Sequence, residues 1–199
     1  DLHDLCRQKL DWDDEVPVEH LDLWVKNLAD IQSLRDIPFR RTVIPDNAAS
    51  TNIQIIVSVD ASENLAIACV HARVPLRDGN YSCQLLTGKS KLVVGSTIPR
   101  AELRGAVMGS VLGQIVKHNL GEQFDSAIFV TDSTICLFWI NQDDRPLQVA
   151  VRNAVIQIRR FTQPSQWYHT DSHENIADIG TRHGTVSDIS QQSEWQQGK

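Results

Sequence analysis

Three β-rich runs in a row, followed by one long apolar helix, constrain the fold of this chain more than any other feature. In the first run, NIQIIVSVDAS (52–62), apolar and polar side chains alternate as they do in a half-buried strand. Two further β-rich runs, 65–74 and 81–94, follow after the short turn sequences ASEN and PLRDGN, so the three runs predict an antiparallel meander. In the next segment, 98–120, apolar residues recur at helical spacing and Pro99 lies in the first turn. This pattern predicts a helix buried against a sheet.

The rest of the chain alternates between helices and strands. A strand, two helices, a short strand and a last helix are predicted at 126–131, 133–141, 147–161, 166–169 and 175–182. The order βββαβααβα indicates an α/β protein. We expect a mixed five-stranded sheet whose first three strands are antiparallel, with the strands before Asp132 and at His169 joining on one side. Helices should flank this sheet.

The acidic charge of the chain is concentrated at its N-terminus. The net charge is −6, and residues 1–36 hold ten acidic and four basic residues (4 − 10 = −6), so the remainder has 15 of each sign. The neutral remainder is compatible with nucleic-acid binding but does not indicate it. Residues 1–36 have a helical pattern, and the polar sequence DNAAST (46–51) follows as a connector. We therefore expect an acidic helical segment at 1–49, the main domain at 50–186 and a C-terminal tail at 187–199.

The cysteines and the hydropathy bear on the compartment. The chain contains Cys6, Cys69, Cys83 and Cys136 without any CxxC pair, which favours reduced thiols, although a Cys69–Cys83 bridge across a hairpin is the alternative. A reducing compartment, cytoplasmic or nuclear, is therefore expected. No apolar run approaches the roughly 18 residues of a membrane helix, so no membrane partner is expected. Because the sequence begins at Asp1, we expect a piece of a longer protein.

Four carboxylates stand where strands end or helices begin. Asp60 and Asp132 end apolar strands, Glu102 begins the long helix, and Asp178 begins the last one. Such positions converge on one edge of an α/β sheet. Carboxylates this close repel one another unless cations compensate them, and oxygen ligands suit Mg²⁺ or Mn²⁺. The alternative is a scatter of helix caps and solvated strand ends.

Four motifs in order, together with FWIN (138–141), resemble the ribonuclease H domain of LTR retrotransposons, the BEL/Pao group in particular. The motifs are VDAS (59–62), IPRAEL (98–103), VTDS (130–133) and HTDSHENIADIGTR (169–182). The N-terminal sequences LCRQKLDWDD and LWVKNL are similar to the segment between polymerase and ribonuclease H in that group. The resemblance implies a ribonuclease H-like fold and, as a partner, the polymerase portion of the same polyprotein.

The resemblance also implies an activity. Asp60, Glu102, Asp132 and Asp178 would hold two Mg²⁺ ions, which Mn²⁺ can replace, and Asp60 would be shared between them. The activity implied is hydrolysis of the RNA strand of an RNA–DNA hybrid by a two-metal mechanism. His169 occupies the position of the mobile-loop histidine of the family, which aids proton transfer or product release; the alternative is an ordinary strand-end histidine.

Several further residues are candidates for substrate binding. Asn175 is a candidate for positioning a phosphate or for capping the last helix, and Ser133 and Arg100 are further candidates for substrate binding. The basic, tryptophan-containing handle of cellular ribonucleases H is replaced by NQDDRP (141–146). Substrate binding must then rely on other groups. Three helix arginines are candidates, namely Arg152, Arg159 and Arg160. The alternative is that they form a solvated helix face.

Three other interpretations remain open. A zinc cluster would use residues whose spacing matches no closed site, namely His169, Asp171, His173, Asp178 and His183. A serine hydrolase would use Ser62 or Ser133, but the chain has no GxSxG motif. The main rival is a domesticated or non-catalytic module that keeps the fold as a binding or scaffolding domain.

Overall fold

The structure, a computed structural model, describes residues 11, 13–93, 95–142, 146–182 and 192–198. The chain divides into two compact units between Phe39 and Arg40. In the first unit, helix α1 (Val18–Ser33) begins directly after Pro17, whose extended backbone suits the residue before a helix. A short 3₁₀ turn (Leu34–Asp36) ends it. Most of the predicted connecting sequence before it, residues 1–10 and 12, lies outside the described residues.

The second unit contains one sheet and the helices that cover it. Its strands are β1 (Ile53–Ala61), β2 (Leu65–Pro75), β3 (Tyr81–Leu92), β4 (Phe124–Thr131) and β5 (Trp167–His169). Its helices are α2 (Ile98–Leu120), α3 (Thr134–Asn141), α4 (Val149–Phe161), α5 (Asp178–Thr181) and α6 (Glu194–Gln197).

The sheet has the strand order β3-β2-β1-β4-β5. Strands β1, β2 and β3 pair antiparallel, whereas β4 pairs parallel with β1, and β5 pairs parallel with β4. The predicted mixed five-stranded sheet, with its antiparallel first three strands, is confirmed. Because β1 and β4 are parallel neighbours, their carboxyl ends meet at one edge of the sheet, which is where a ligand site is expected.

The main core lies between the sheet and α2. Val57 and Val59 of β1 face this helix, and their side chains would collide with or crowd a Cβ atom at Gly109. Gly113 leaves similar room for the ring of Phe129 in β4. These glycines stand four residues apart, on one side of the helix. Their missing side chains let α2 approach the strands closely, and this approach decides how near its first turns come to the sheet edge.

The structure differs from the predictions in the last part of the chain. Helix α5 is shorter than the predicted 175–182, because a 3₁₀ turn (Ser172–Glu174) precedes it and the side chain of Asn175 bonds to a neighbouring strand. Within the predicted tail, α6 is capped by Ser193, and Trp195 packs with the buried side chains of Ile67 and Ile176. The proposed limits of the domain, 50–186, stay a prediction.

The described cysteines are free. Cys69 and Cys136 are buried, and Cys83 is half-buried. The alternative Cys69–Cys83 bridge is not formed, since Cys69 lies opposite Gly88 in the β2–β3 ladder while Cys83 lies opposite Arg73. Burial raises the pKa of the Cys69 and Cys136 thiols to about 12, so both behave as core residues. Cys6 lies outside the described residues.

Candidate metal centre

Three of the predicted carboxylates meet at the edge of the sheet. Asp60, Glu102 and Asp132 each offer one ligand oxygen, and these oxygens all lie within 4.8 Å of one another. Asp60 and Glu102 are buried, and Asp132 is half-buried. Such a separation allows one cation to contact all three side chains.

The strand register explains why two aspartates meet. Ser58 of β1 lies opposite Val130 of β4 in the parallel ladder, and continuing this register by two residues brings Asp60 level with Asp132. The third carboxylate, Glu102, comes from α2, which can approach the aspartates because residue 105 is a glycine. A Cβ atom at Gly105 would lie only 3.1 Å from the carbonyl oxygen of Asp60, so the glycine permits the helix to sit against the end of β1. Glu102 is one turn earlier and is thereby held beside the aspartates.

The cluster resists full ionisation when no cation is present. Burial raises the pKa of Glu102 to about 8, and the nearby charges of Asp60 and Asp132 add to this effect. The pKa of Asp60 is also raised, first by burial and then by the charges of Asp132 and Asp178, although a hydrogen bond from Thr181 opposes the shift. A bound divalent cation would oppose these shifts, since it stabilises the charged form of each ligand.

The hydrogen-bonding pattern fits a metal ion. Among the described residues, the buried oxygens Oε2 of Glu102 and Oδ1 of Asp132 have no hydrogen-bond partner. Buried oxygens without a partner are unfavourable by about 1–3 kcal/mol each, which a bound cation would offset. An all-oxygen set of carboxylates suits Mg²⁺ or Mn²⁺ rather than zinc. These three residues therefore fit a divalent cation such as Mg²⁺ or Mn²⁺, which the sequence analysis predicted for this site.

The fourth predicted carboxylate has a different surrounding. Asp178 is the first residue of α5, and its carboxylate forms an ion pair with Arg182 one turn later. It is near enough to raise the pKa of Asp60, but it is not part of the three-residue cluster. The structure thus brings Asp178 beside the cluster while its side chain is directed to Arg182.

His169 and Arg100 are both exposed at the surface. His169 ends β5 opposite Thr131, the residue before Asp132, and its side chain is exposed. Arg100 lies on the first turn of α2, and its guanidinium donates a 2.9 Å hydrogen bond to the side chain of Gln148. Both positions leave the side chains accessible from solvent.

Asn175 and Ser133 instead have structural contacts. The buried amide of Asn175 donates a 2.9 Å hydrogen bond to the carbonyl of Val59 and accepts one from the backbone of Ala177. This geometry favours its role in holding the start of α5, and it does not support contact with a phosphate. The hydroxyl of Ser133 accepts a hydrogen bond from the backbone of Cys136, which makes it the N-cap of α3.

Of the three helix arginines, one has structural contacts and two are exposed. Arg159 donates hydrogen bonds to the carbonyl oxygens of Ile140 and Gln142, so it caps the end of α3 rather than facing a ligand. Arg152 and Arg160 are exposed.

Of the alternative zinc ligands, His183 lies outside the described residues. The described ones, with His169 among them, form no cluster able to hold a metal within the part of the chain that the structure describes.

Sequence reasoning missed two residues that shape the site. Thr181 is buried and donates a hydrogen bond of 2.5 Å to Oδ2 of Asp60. The signal for it in the sequence is its place in the motif NIADIGTR (175–182), one turn after Asp178. Gly105 permits the approach of α2, and the spacing of Gly105, Gly109 and Gly113 by four residues was the signal for a close helix–sheet contact.

The chain was compared with curated proteins and with solved structures. A comparison with curated proteins found no match. Among solved structures, the chain is similar to the N-terminal ribonuclease H domain of a Mycobacterium tuberculosis protein, with 16% identity and a TM-score of 0.41 over 65% of this chain and 96% of that one. It is similar to ribonuclease H1 from Halobacterium salinarum, with 14% identity and a TM-score of 0.40 over 62% and 89%. A third similar structure is LC11-RNase H1 in complex with an RNA/DNA hybrid, with 14% identity and a TM-score of 0.41 over 62% and 88%.

A family model identifies the chain. The model described as the Pao retrotransposon-like RNaseH-like domain matches residues 2–133, about two thirds of the sequence. The match begins in the acidic N-terminal segment and includes the three clustered carboxylates. It ends before His169 and Asp178, whose roles rest on the motif alone. The chain belongs to the family of Pao retrotransposon-like RNaseH-like domains.

Proposed function

We propose that this domain is a metal-dependent endonuclease that hydrolyses the RNA strand of RNA–DNA hybrids as part of a retroelement reverse transcriptase. The observation that carries the proposal is the cluster of Asp60, Glu102 and Asp132, whose ligand oxygens lie within 4.8 Å of one another. Two of its buried oxygens have no hydrogen-bond partner among the residues that the structure describes. The hybrid substrate and the polymerase portion as partner are inferred from the family. An intracellular location is inferred from the free cysteines.

The residues of the chain have separable roles in this reaction. Bound Mg²⁺ ions would supply the activated water and the stabilisation of the leaving 3′-oxygen. Asp60, Glu102 and Asp132 would hold the ions at the sheet edge, and Thr181 orients Asp60 through its hydrogen bond. Asp178, which is paired with Arg182 beside the cluster, is the fourth ligand that the family motif implies. The imidazole of His169, exposed at the end of β5, can take up or release a proton close to the departing group.

The test is cleavage of a labelled RNA, paired with DNA, by the full chain with Mg²⁺, Mn²⁺ or EDTA. Asp132→Asn should lower the rate at least about a hundredfold, because it removes a charged ligand from the cluster. A matched control is Asp125→Asn, since Asp125 is an exposed residue in β4 at the end remote from Asp132. Single-stranded RNA and duplex DNA should not be cleaved.

The opposite result would favour the non-catalytic module. If the wild-type chain cleaves no hybrid with either metal, both alone and together with its polymerase portion, then the proposed activity is wrong. If Asp132→Asn and Asp125→Asn cleave equally well, the cluster is not the catalytic centre.

A further inference from the structure

A basic groove borders α2 on the side away from the carboxylates. It has a volume of about 740 Å³, and its walls come from β3, α2 and α4. Among the described residues, four cationic side chains line it, Lys89, Lys91, Arg100 and Arg104, and none of these described lining residues is acidic. In residues 37–199 the two signs of charge are balanced, with 15 of each, so the groove is a local concentration of positive charge.

The cations are available to a ligand. All four side chains are exposed, and within the part of the chain that the structure describes none of them forms an ion pair. The floor between them is apolar and includes Val107 and Val111 of α2. The opposite wall offers the neutral polar side chains of Asn153 and Gln157. Unpaired cations over a neutral floor attract a polyanion.

The strand register relates this groove to the candidate metal centre. Ala61 lies opposite Ala66 in the β1–β2 ladder, and Ala66 lies opposite Lys91 in the β2–β3 ladder. In the same way, Lys89 is level with Val59. The two lysines therefore flank the level of Asp60, two strand spacings or about 10 Å to the side. A ligand that contacts both places must therefore extend over about 10 Å or more.

We infer that the groove binds phosphates of the nucleic-acid substrate outside the cleavage site. The inference rests on the proposed function in that the hybrid supplies these phosphates. The cationic groove provides backbone contacts of the kind that position a nucleic acid without reading its sequence. The segment between α3 and α4 is short and has NQDDRP (141–146) in place of a basic handle. The groove supplies backbone contacts that this segment lacks.

The test is binding of a fluorescent RNA–DNA hybrid to the full chain in EDTA, over a series of salt concentrations. The Lys89→Gln/Lys91→Gln double variant should bind roughly tenfold or more weakly at 0.1 M salt, and the slope of log affinity against log salt should flatten by about 2. Arg104→Gln should flatten it by about 1. The matched control is Arg77→Gln/Lys117→Gln, which removes two exposed cations outside the groove and should keep the wild-type slope.

The outcomes separate this inference from the proposed activity. If the wild type binds the hybrid through these lysines but never cleaves it, the activity is wrong and the groove inference stands. If the wild type cleaves, and the lysine variant binds with the same affinity and slope as the control, the groove inference is overturned. Binding of poly-glutamate that is lost in the lysine variant, with hybrid binding unchanged, overturns it in favour of an acidic protein partner.

Discussion

The hydroxyl of Thr181 donates a hydrogen bond of 2.5 Å to Oδ2 of Asp60, across 121 residues of sequence. Thr181 is the last residue of α5. Its hydroxyl oxygen also lies 3.1 Å from the carbonyl oxygen of Asp178. The contact connects the last helix to the carboxylate at the end of β1. It also opposes the rise in the pKa of Asp60 that burial causes. Thr181 is therefore a positioning residue for the candidate metal centre.

Replacing this hydroxyl should weaken the metal site. Thr181→Val keeps the shape of the side chain but removes the donor, so we expect affinity for Mg²⁺ or Mn²⁺ and the cleavage rate to fall by about tenfold. Thr181→Ser keeps the donor and should stay close to wild type. Metal titration of the activity, with the melting temperature recorded beside it, checks the prediction. A valine variant with the wild-type metal response would show that the contact serves only the fold.

Asp60→Asn should separate activity from stability. We expect cleavage of the hybrid to be lost, because a charged ligand is replaced by a neutral one. Without metal, the melting temperature should hold or rise by about 2 °C, since burial and the charges of Asp132 and Asp178 disfavour the ionised form of Asp60. Thermal unfolding in EDTA measures this, with Asp125→Asn as the control. Wild-type cleavage by Asp60→Asn would contradict the two-metal assignment.

Stability of the metal-free chain should fall as the pH rises. Burial raises the pKa of Glu102 from 4.5 to about 8, so between these values the folded chain binds more protons than the unfolded chain. The stabilisation is complete below about pH 4.5 and is lost as the pH passes about 8. Relative to Glu102→Gln, the wild type should lose about 5 °C of melting temperature between pH 5 and pH 9 in EDTA. Equal slopes for both proteins would show that Glu102 is not the group responsible.

Much of the fold follows from local patterns. The alternation in β1 and the helical spacing in α2 predict both elements, because one face of each is buried against the other. Parallel neighbours end at one sheet edge, so the meeting of Asp60 with Asp132 also follows from the order of the elements. These features depend on periodicity and topology, which a sequence displays directly.

Other features depend on contacts between distant residues, which periodicity does not reveal. The hydrogen bond from Asn175 to the carbonyl of Val59 shortens the predicted last helix, and no local pattern announces it. The short helix α6 contains Trp195, which packs against the buried apolar cluster that includes Ile67 and Ile176. The direction of Asp178, towards Arg182 rather than the cluster, is likewise set by side-chain pairing.

Asn175 should prove important for stability rather than for substrate binding. Asn175→Ala removes the donor to the buried carbonyl of Val59, which should lower the free energy of unfolding by about 1–3 kcal/mol. The Michaelis constant for the hybrid should stay near the wild-type value. Urea denaturation and steady-state kinetics give the two readouts, with the exposed Asn119→Ala as a control. An unchanged stability with a raised Michaelis constant would restore the phosphate-binding interpretation.

His169→Ala should slow turnover without eliminating it. The side chain is exposed at the end of β5, opposite Thr131 and thus next to the strand that leads to Asp132. A group that transfers a proton or aids product release contributes less than the ligands that hold the metal, so the turnover number should fall by about tenfold to a hundredfold while some cleavage persists. The matched control is His118→Ala, because His118 is exposed in the last turn of α2, far along the helix from Glu102. Single-turnover and steady-state rates on the hybrid distinguish chemistry from release. If both variants cleave at the wild-type rate, His169 is an ordinary strand-end histidine, and the proton must be carried by solvent.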